Sequence, residues 1–301
     1  FVCVKKNWTA ISERKPVKTV KSRRLFLLAG YNAKNVVDAS LVYMVKSLSE
    51  FGDVILVMDS NVPDTEMYKV APYTIFASAR RHGEYDFGSY KRAYIYARDT
   101  GILGNYEFVY MINDSVYGPV NPLLPALEKL ESTNRDAFGL VYNANRKTPH
   151  IQSWFIGMRK PVFASNWFDK FITSVSRQPN KGLITYFYEQ GFSRMLFAHN
   201  IKFSYLYTAP GRKIYNNVKY FYKSKCPFFK KVAFTRHYGR LGGQLSYILS
   251  HLSPDLRDII LTSARDAYGT EYIDWLLTRN PIKILYRSCR YFFHKLFGEG
   301  I

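Results

Sequence analysis

The sequence is short of three things, and each shortage closes off a class of protein. Only Cys3, Cys226 and Cys289 occur among 301 residues, with neither metal-ligand spacing nor an even framework. That excludes a disulfide-stapled secreted fold and points to a reducing, cytoplasmic compartment. No apolar run reaches the ~18 residues that a spanning helix requires, and no secretory leader opens the sequence. Acidic residues are scarce: 43 Lys and Arg face 23 Asp and Glu, for a formal charge of +20 and a pI of about 9.7. From Gln190 to Pro254 there is neither Asp nor Glu. The surface or partner that meets such a chain is anionic.

What the sequence does have is a core, 47% hydrophobic and 17% aromatic, enough for one large domain with an extension. Residues 1–23 are basic and aperiodic and read as an arm. Leu25–Ala29 is a strand stopped at Gly30, and Val37, Leu41, Met44, Val45 and Leu48 give helical spacing over 36–51. Val54–Met58 is a second buried strand, Tyr73–Ala77 a weaker third, and Phe108–Ile112 a fourth, with a helix over 87–98 before it. This alternation predicts an α/β domain with a mostly parallel sheet flanked by helices. Beyond it we expect strands at Phe138–Tyr142, Trp154–Met158 and Lys202–Tyr207, and helices from Pro161 to Ser174 and from Glu189 to His199. The domain therefore runs over 24–210, and 211–301 is a helical, basic, aromatic extension.

The chemistry is expected where polar residues leave buried strands, because the ligand crevice of an open α/β sheet lies outside the carboxyl ends of its strands. Asn113-Asp114-Ser115 follows the fourth strand and precedes Val116-Tyr117-Gly118-Pro119, read as a turn. A carboxylate there suits Mg or Mn gripping a diphosphate, with Asp114 as the metal ligand. Asp59 leaves the second strand and is placed to accept from a base or ribose. Asp86, Gly88 and Lys91 combine a carboxylate, close backbone approach and a cation at a helix N-terminus, a set suited to phosphate.

Three segments together resemble the rhamnan-synthesis F family of bacterial glycosyltransferases: Glu84-Tyr85-Asp86-Phe87-Gly88-Ser89-Tyr90-Lys91, Asn113 to Pro119, and His150-Ile151-Gln152-Ser153-Trp154-Phe155. A looser match spans Asn217 to Lys231. The resemblance implies a GT-A-like fold and sugar transfer from a nucleotide donor to a growing cell-surface polysaccharide, with inversion through a single displacement. It also implies a deoxythymidine-diphosphate rhamnose donor and a lipid-linked glycan acceptor at the inner membrane face. Asn113 departs from the two-aspartate metal motif of most GT-A enzymes, which weakens the charge offered to a metal. The base of related inverting enzymes is a carboxylate opening a late helix, which maps onto Glu189, with Arg194 as a donor-phosphate or structural partner. His150 is the rival for base, metal ligand or acceptor contact. Gln152, Ser153 and Trp154 are assigned to the acceptor.

Each residue also has a plain structural role open to it. Asp114 suits a turn, Asp86 an N-cap, Glu189 a helical first turn, and His150 a satisfied internal histidine. The acid-free stretch interleaves cations such as Lys219, Lys223 and Lys230 with aromatics such as Tyr220, Phe221 and Phe229. Ile282–Phe297 repeats the pattern as an amphipathic helix. Both suit peripheral attachment to an anionic membrane. Single-stranded nucleic acid is the rival partner, although no nucleic-acid module is present. A non-catalytic scaffold with a glycosyltransferase fold is the third reading.

Overall fold

Short runs of β-branched and aromatic residues make the strands. The structure is a computed structural model that describes residues 12–13, 23–145, 147–235, 241–278 and 280–297, and of 12–13 and 290–297 the backbone alone. The expected arm over 1–23 therefore lies almost wholly outside the described residues. In chain order the strands are β1 (Ser12–Glu13), β2 (Arg24–Gly30), β3 (Asp53–Met58), β4 (Phe76–Ala79), β5 (Phe108–Asn113) and β6 (Val116–Tyr117). They continue with β7 (Ala137–Asn143), β8 (His150–Ile151), β9 (Phe155–Arg159), β10 (Phe203–Thr208) and β11 (Phe229–Lys230).

Two compact units share these elements. The first comprises the chain up to Asp114 together with Leu124–Gly211; the second comprises Ser115–Leu123 and the chain from Arg212 onward. In the first, one sheet runs β1-β4-β3-β2-β5-β9-β7-β10, with β8 on β7. Strands β4, β3, β2 and β5 are parallel, as are β7 and β10, while β9 is antiparallel to both β5 and β7. The expected α/β class with a mostly parallel, helix-flanked sheet is the one observed. From β2 the chain builds outward through β3 and β4, then returns to place β5 on the other side of β2. That reversal is the switch point at which α/β sheets open a crevice.

The helices of this unit are α1 (Ala39–Ser49), α2 (Asp64–Met67), α3 (Tyr85–Asp99), α4 (Leu124–Glu131), α5 (Lys160–Phe163), α6 (Asn166–Thr173), α7 (Lys181–Ile184) and α8 (Gln190–Ala198). Asp38 caps α1 by accepting from the Leu41 amide at 2.8 Å. Helix α3 turns Phe87, Tyr90, Ala93, Tyr94 and Ala97 inward at helical spacing onto the sheet. At the amino ends of the strands, Arg24 grips Glu131 with two hydrogen bonds of 2.6 and 2.7 Å, and the Tyr110 hydroxyl donates to the same carboxylate at 2.6 Å. The carboxylate raises the Arg24 pKa, chiefly through its hydrogen bond.

Several expectations shift. The third strand begins three residues later, because Ala71–Tyr73 forms a 3₁₀ turn. The single helix expected from Pro161 divides into α5 and α6, where Ser165 accepts from the Phe168 amide and caps a new start. Thr185–Glu189 is a π-helical turn that delays α8 to Gln190. Val116 and Tyr117 are not part of a turn: they form β6, antiparallel to β11, before a cis Gly118–Pro119 peptide.

The second unit packs β6 and β11 with helices α9 (Lys213–Asn216), α10 (Val218–Lys223), α11 (Leu241–Ser250), α12 (Pro254–Tyr268), α13 (Thr270–Leu276) and α14 (Pro281–Phe297). The Asn121 side-chain amide donates to the carbonyls of Tyr222 and Cys226 at 3.0 and 2.9 Å. Burial pushes the Cys226 thiol up to about 12, so it is an inert core group. No helix among the described residues is long and apolar enough to cross a membrane.

Candidate active site

Parallel pairing brings the carboxyl ends of β2, β3 and β5 to one edge, and antiparallel β9 starts at that same edge, with Phe155 opposite Ile112. The residues that leave these strands therefore meet, although they are far apart in sequence. Asn113 donates its side-chain amide to Asp86 Oδ2 at 2.7 Å. A carboxylate can only accept here, so the amide nitrogen faces Asp86 and fixes the Asn113 orientation. Asp114 follows directly and accepts the Tyr31 amide on Oδ2 at 3.1 Å. Asp86 is thus no N-cap: Glu84 holds that position, and Asp86 reaches across to β5.

A second cluster adjoins the first through Tyr90. This fully buried tyrosine donates its hydroxyl to the Ser153 carbonyl at 3.1 Å. Burial raises its pKa well above the ordinary value, and the carboxylates of Asp86, Glu189 and Asp114 add to the rise. Ser153 in turn donates its amide and hydroxyl to Glu189 Oε1 at 3.0 and 3.1 Å. His150 Nε2 lies 4.0 Å from the same oxygen. His150 Nδ1 is 2.7 Å from the Thr148 carbonyl, which can only accept, so Nδ1 carries a proton and Nε2 is the ring nitrogen turned towards Glu189. Glu189 closes the π-helical turn, an insertion frequent at functional sites.

The remaining expected residues serve this edge in other ways. Asp59 is buried, and its Oδ1 accepts from the amides of His82 and Gly83 at 2.7 and 2.8 Å, so it shapes the loop leading into α3. Gly88 makes room for that loop: a Cβ there would lie 2.3 Å from Glu84 Cβ and 2.8 Å from the His82 ring. Lys91 does not offer itself as a phosphate cation: its ammonium is bound by Glu84 at 2.6 Å and the Val175 carbonyl at 2.7 Å. Burial alone would raise the Glu84 pKa, but hydrogen bonds from Arg92 and Lys91 outweigh it and lower it. Arg194 donates to the Tyr186 carbonyl at 2.6 Å and covers the Tyr186 ring. Gln152 and Trp154 are buried and bonded to each other at 2.7 Å, so Ser153 is the member of that trio turned to the site. Ser115 belongs to the second unit, where buried Lys230 donates to its hydroxyl at 2.8 Å.

Sequence reasoning missed Tyr31, Arg81 and Tyr90. Tyr31 is half-exposed with the Arg81 guanidinium 5.0 Å above its ring, and the signal for it was an aromatic directly after the strand-stopping Gly30. Tyr85 has φ +56°, a left-handed conformation uncommon for a bulky residue, immediately before Asp86. Such strain persists where the surroundings over-determine it.

A divalent cation would find Asp114 as its carboxylate. Among the described residues no three His, Cys, Asp or Glu side chains group as a metal cage. One carboxylate suits Mg or Mn bound jointly with phosphate oxygens rather than by protein alone.

The profile of the family described as Rhamnan synthesis protein F matches residues 54–291. The chain belongs to that family. The matched span covers Asp59, the α3 motif, Asn113–Ser115, His150–Trp154 and Glu189. An uncharacterized protein, y4gN, of Sinorhizobium fredii is 23% identical over 163 residues, which is 53% of this chain and 41% of that protein. The chain therefore spans less than half the length of that curated relative. Among solved structures, one described as a nucleotide-diphospho-sugar transferase from Desulfovibrio desulfuricans G20 aligns at 14% identity and TM-score 0.37, covering 83% of this chain and 98% of that one. A cytidylyltransferase from Leptospira borgpetersenii aligns at 12% identity and TM-score 0.34, covering 64% of this chain and 77% of its own.

Proposed function

We propose that this chain is a GT-A-like glycosyltransferase that uses a nucleotide-diphosphate sugar. The observation that carries the reading is the convergence of Asp86, Asn113, Asp114, Tyr90, Ser153 and Glu189 at one sheet edge. Asp114 takes the diphosphate side, through a divalent cation that screens phosphate charge when bound, and Tyr31 with Arg81 offers an aromatic face and a cation to the nucleotide. Glu189 takes the acceptor side. Its Oε1 is held by Ser153, which orients the carboxylate so that it can remove the acceptor hydroxyl proton. The acceptor oxygen then bonds to the anomeric carbon from the face opposite the leaving group, the carbon–oxygen bond to the diphosphate breaks, and configuration inverts. His150, with Nε2 4.0 Å from Glu189 Oε1, lies beside the same carboxylate and helps to position it. Family membership supports rhamnose as the sugar and a lipid-linked glycan as the acceptor.

The test separates binding from chemistry. A ligand that binds only the folded state raises the melting temperature, so a panel of nucleoside diphosphates and their sugars, with and without manganese, is expected to stabilise the protein with one base preferred. Asp114→Ala should abolish that shift. Glu189→Gln should keep it, yet lower transfer by a factor on the order of 10²–10⁴, the usual worth of a general base. Loss of donor binding in Glu189→Gln would move Glu189 out of the role of base.

A further inference from the structure

Over residues 281–289, helix α14 stands apart from the rest of the second unit in how little of it is covered. Ile282, Leu285 and Tyr286 are 77%, 65% and 62% exposed, and Cys289 is exposed with them. These positions recur at i, i+3, i+4 and i+7, one stripe along a helix, and in the sequence the same spacing continues to Phe293 and Leu296. Arg287 lies on the other side of the helix, buried, where it donates to the carbonyls of Trp275 and Leu276 at the end of α13 and stacks over the Trp275 ring at 5.6 Å. A cation suits a helix C-terminus, where the carbonyl ends gather negative potential. That contact turns the apolar stripe away from its own unit.

The charge around the stripe says what covers it. Residues 281–297 contain Lys283, Arg287, Arg290 and Lys295 and no Asp or Glu, and from Arg212 to the end sixteen Lys and Arg face six Asp and Glu. At helical spacing Lys283 borders the stripe, and in the sequence Arg290 recurs one heptad later in the same register. Apolar residues beside basic ones, on a helix that among the described residues is not long and apolar enough to cross a membrane, are the pattern of a helix lying in the plane of an anionic membrane. A protein partner of acidic surface would match the cations but not the exposed row of Ile, Leu and Tyr, which a bilayer's acyl boundary matches together with the basic neighbours. We infer that α14 is an interfacial membrane anchor, held to its unit by Arg287, with Ile282, Leu285 and Tyr286 entering the acyl boundary of an anionic leaflet.

The experiment is co-sedimentation of the full chain with vesicles of phosphatidylglycerol and phosphatidylethanolamine, against vesicles of phosphatidylcholine, at low and high salt. Binding to the anionic vesicles should exceed binding to the neutral ones at least tenfold and fall as salt rises. The double substitution Ile282→Asn and Leu285→Asn should reduce it at least tenfold without lowering the melting temperature, since both side chains are exposed. Nucleotide binding should be unchanged in that variant, so failure here is distinguishable from failure of the glycosyltransferase reading. Equal binding to both vesicle types, or undiminished binding of the variant, would overturn the anchor. So would a chain that ignores vesicles and instead dimerises through this face, seen as a concentration-dependent mass that the variant abolishes.

Discussion

His82 shows how much one side chain does at the loop leading into α3. The Glu84 amide donates to its Nδ1 at 3.1 Å, which leaves the other nitrogen to bond Ser89 Oγ at 3.1 Å. The ring is therefore neutral, and its shape explains why position 88 carries no Cβ. Burial is the main cause that pushes the His82 pKa down to about 4, Arg92 adds to it, and Asp59 and Glu84 oppose it. The sign follows from linkage: an unfolded His82 takes up a proton near its ordinary value, while the folded one refuses it until near pH 4, so acid favours the unfolded chain in between. The native protein should lose roughly 2 kcal/mol more than His82→Gln between about pH 7 and pH 5. Denaturant unfolding of both proteins at the two pH values checks this, and parallel losses would show that His82 does not carry the effect.

The elements that were legible are those whose sequence sets their own conformation. β2, β3 and β5 are unbroken runs of buried β-branched and aromatic residues, and the helical spacing of 36–51 is an amphipathic face. The direction of β9 was not legible, because an antiparallel strand buried on both faces reads like a parallel one. β6 is two residues long and finds its partner β11 over a hundred residues later, so nothing local announces it. The convergence of Asp86, Asn113, Asp114, His150, Ser153 and Glu189 was readable as motifs at strand ends, whereas the diversion of Lys91 to Glu84 depends on a loop whose course only the fold sets. Helix α4 was missed as well, since Pro125 in its first turn resembles a break, yet it carries Glu131 to Arg24 and Tyr110 and so ties itself to β2 and β5. Glu131→Ala strands a nearly buried guanidinium and should cost about 3–5 kcal/mol, the range for a buried pair that loses one partner. Replacing both, as Arg24→Met with Glu131→Leu, should cost less than the single change. Urea unfolding of the two variants decides it, and a double variant weaker than the single would refute the ion-pair account.

The chain passes from one unit to the other within its Asn113-Asp114-Ser115 triplet. The chain leaves the first unit after Asp114, spends Ser115 to Leu123 in the second, and returns at Leu124 before crossing again at Gly211. The second unit holds that excursion firmly: β6 pairs with β11, the Val120 amide donates to the Pro227 carbonyl at 2.7 Å, Asn121 bonds two further carbonyls, and the Lys231 amide donates to the Ser115 carbonyl at 2.9 Å. Every one of these partners lies beyond residue 211. The C-terminal segment thus supplies the partners for the residues that follow Asp114 directly. Cutting the chain at Gly211 would expose Val116 and Tyr117, both now almost fully buried, and strip the hydrogen bonds from a stretch of backbone. Buried polar groups left without partners are costly, and the loosened segment begins one residue after the proposed metal ligand. A chain ending at Gly211 should retain α/β circular dichroism from the large sheet, be cleaved by protease first within 115–123, and bind no nucleotide. A truncated chain that resists cleavage there and still gives the full nucleotide-dependent melting shift would show that the first unit builds the donor site alone.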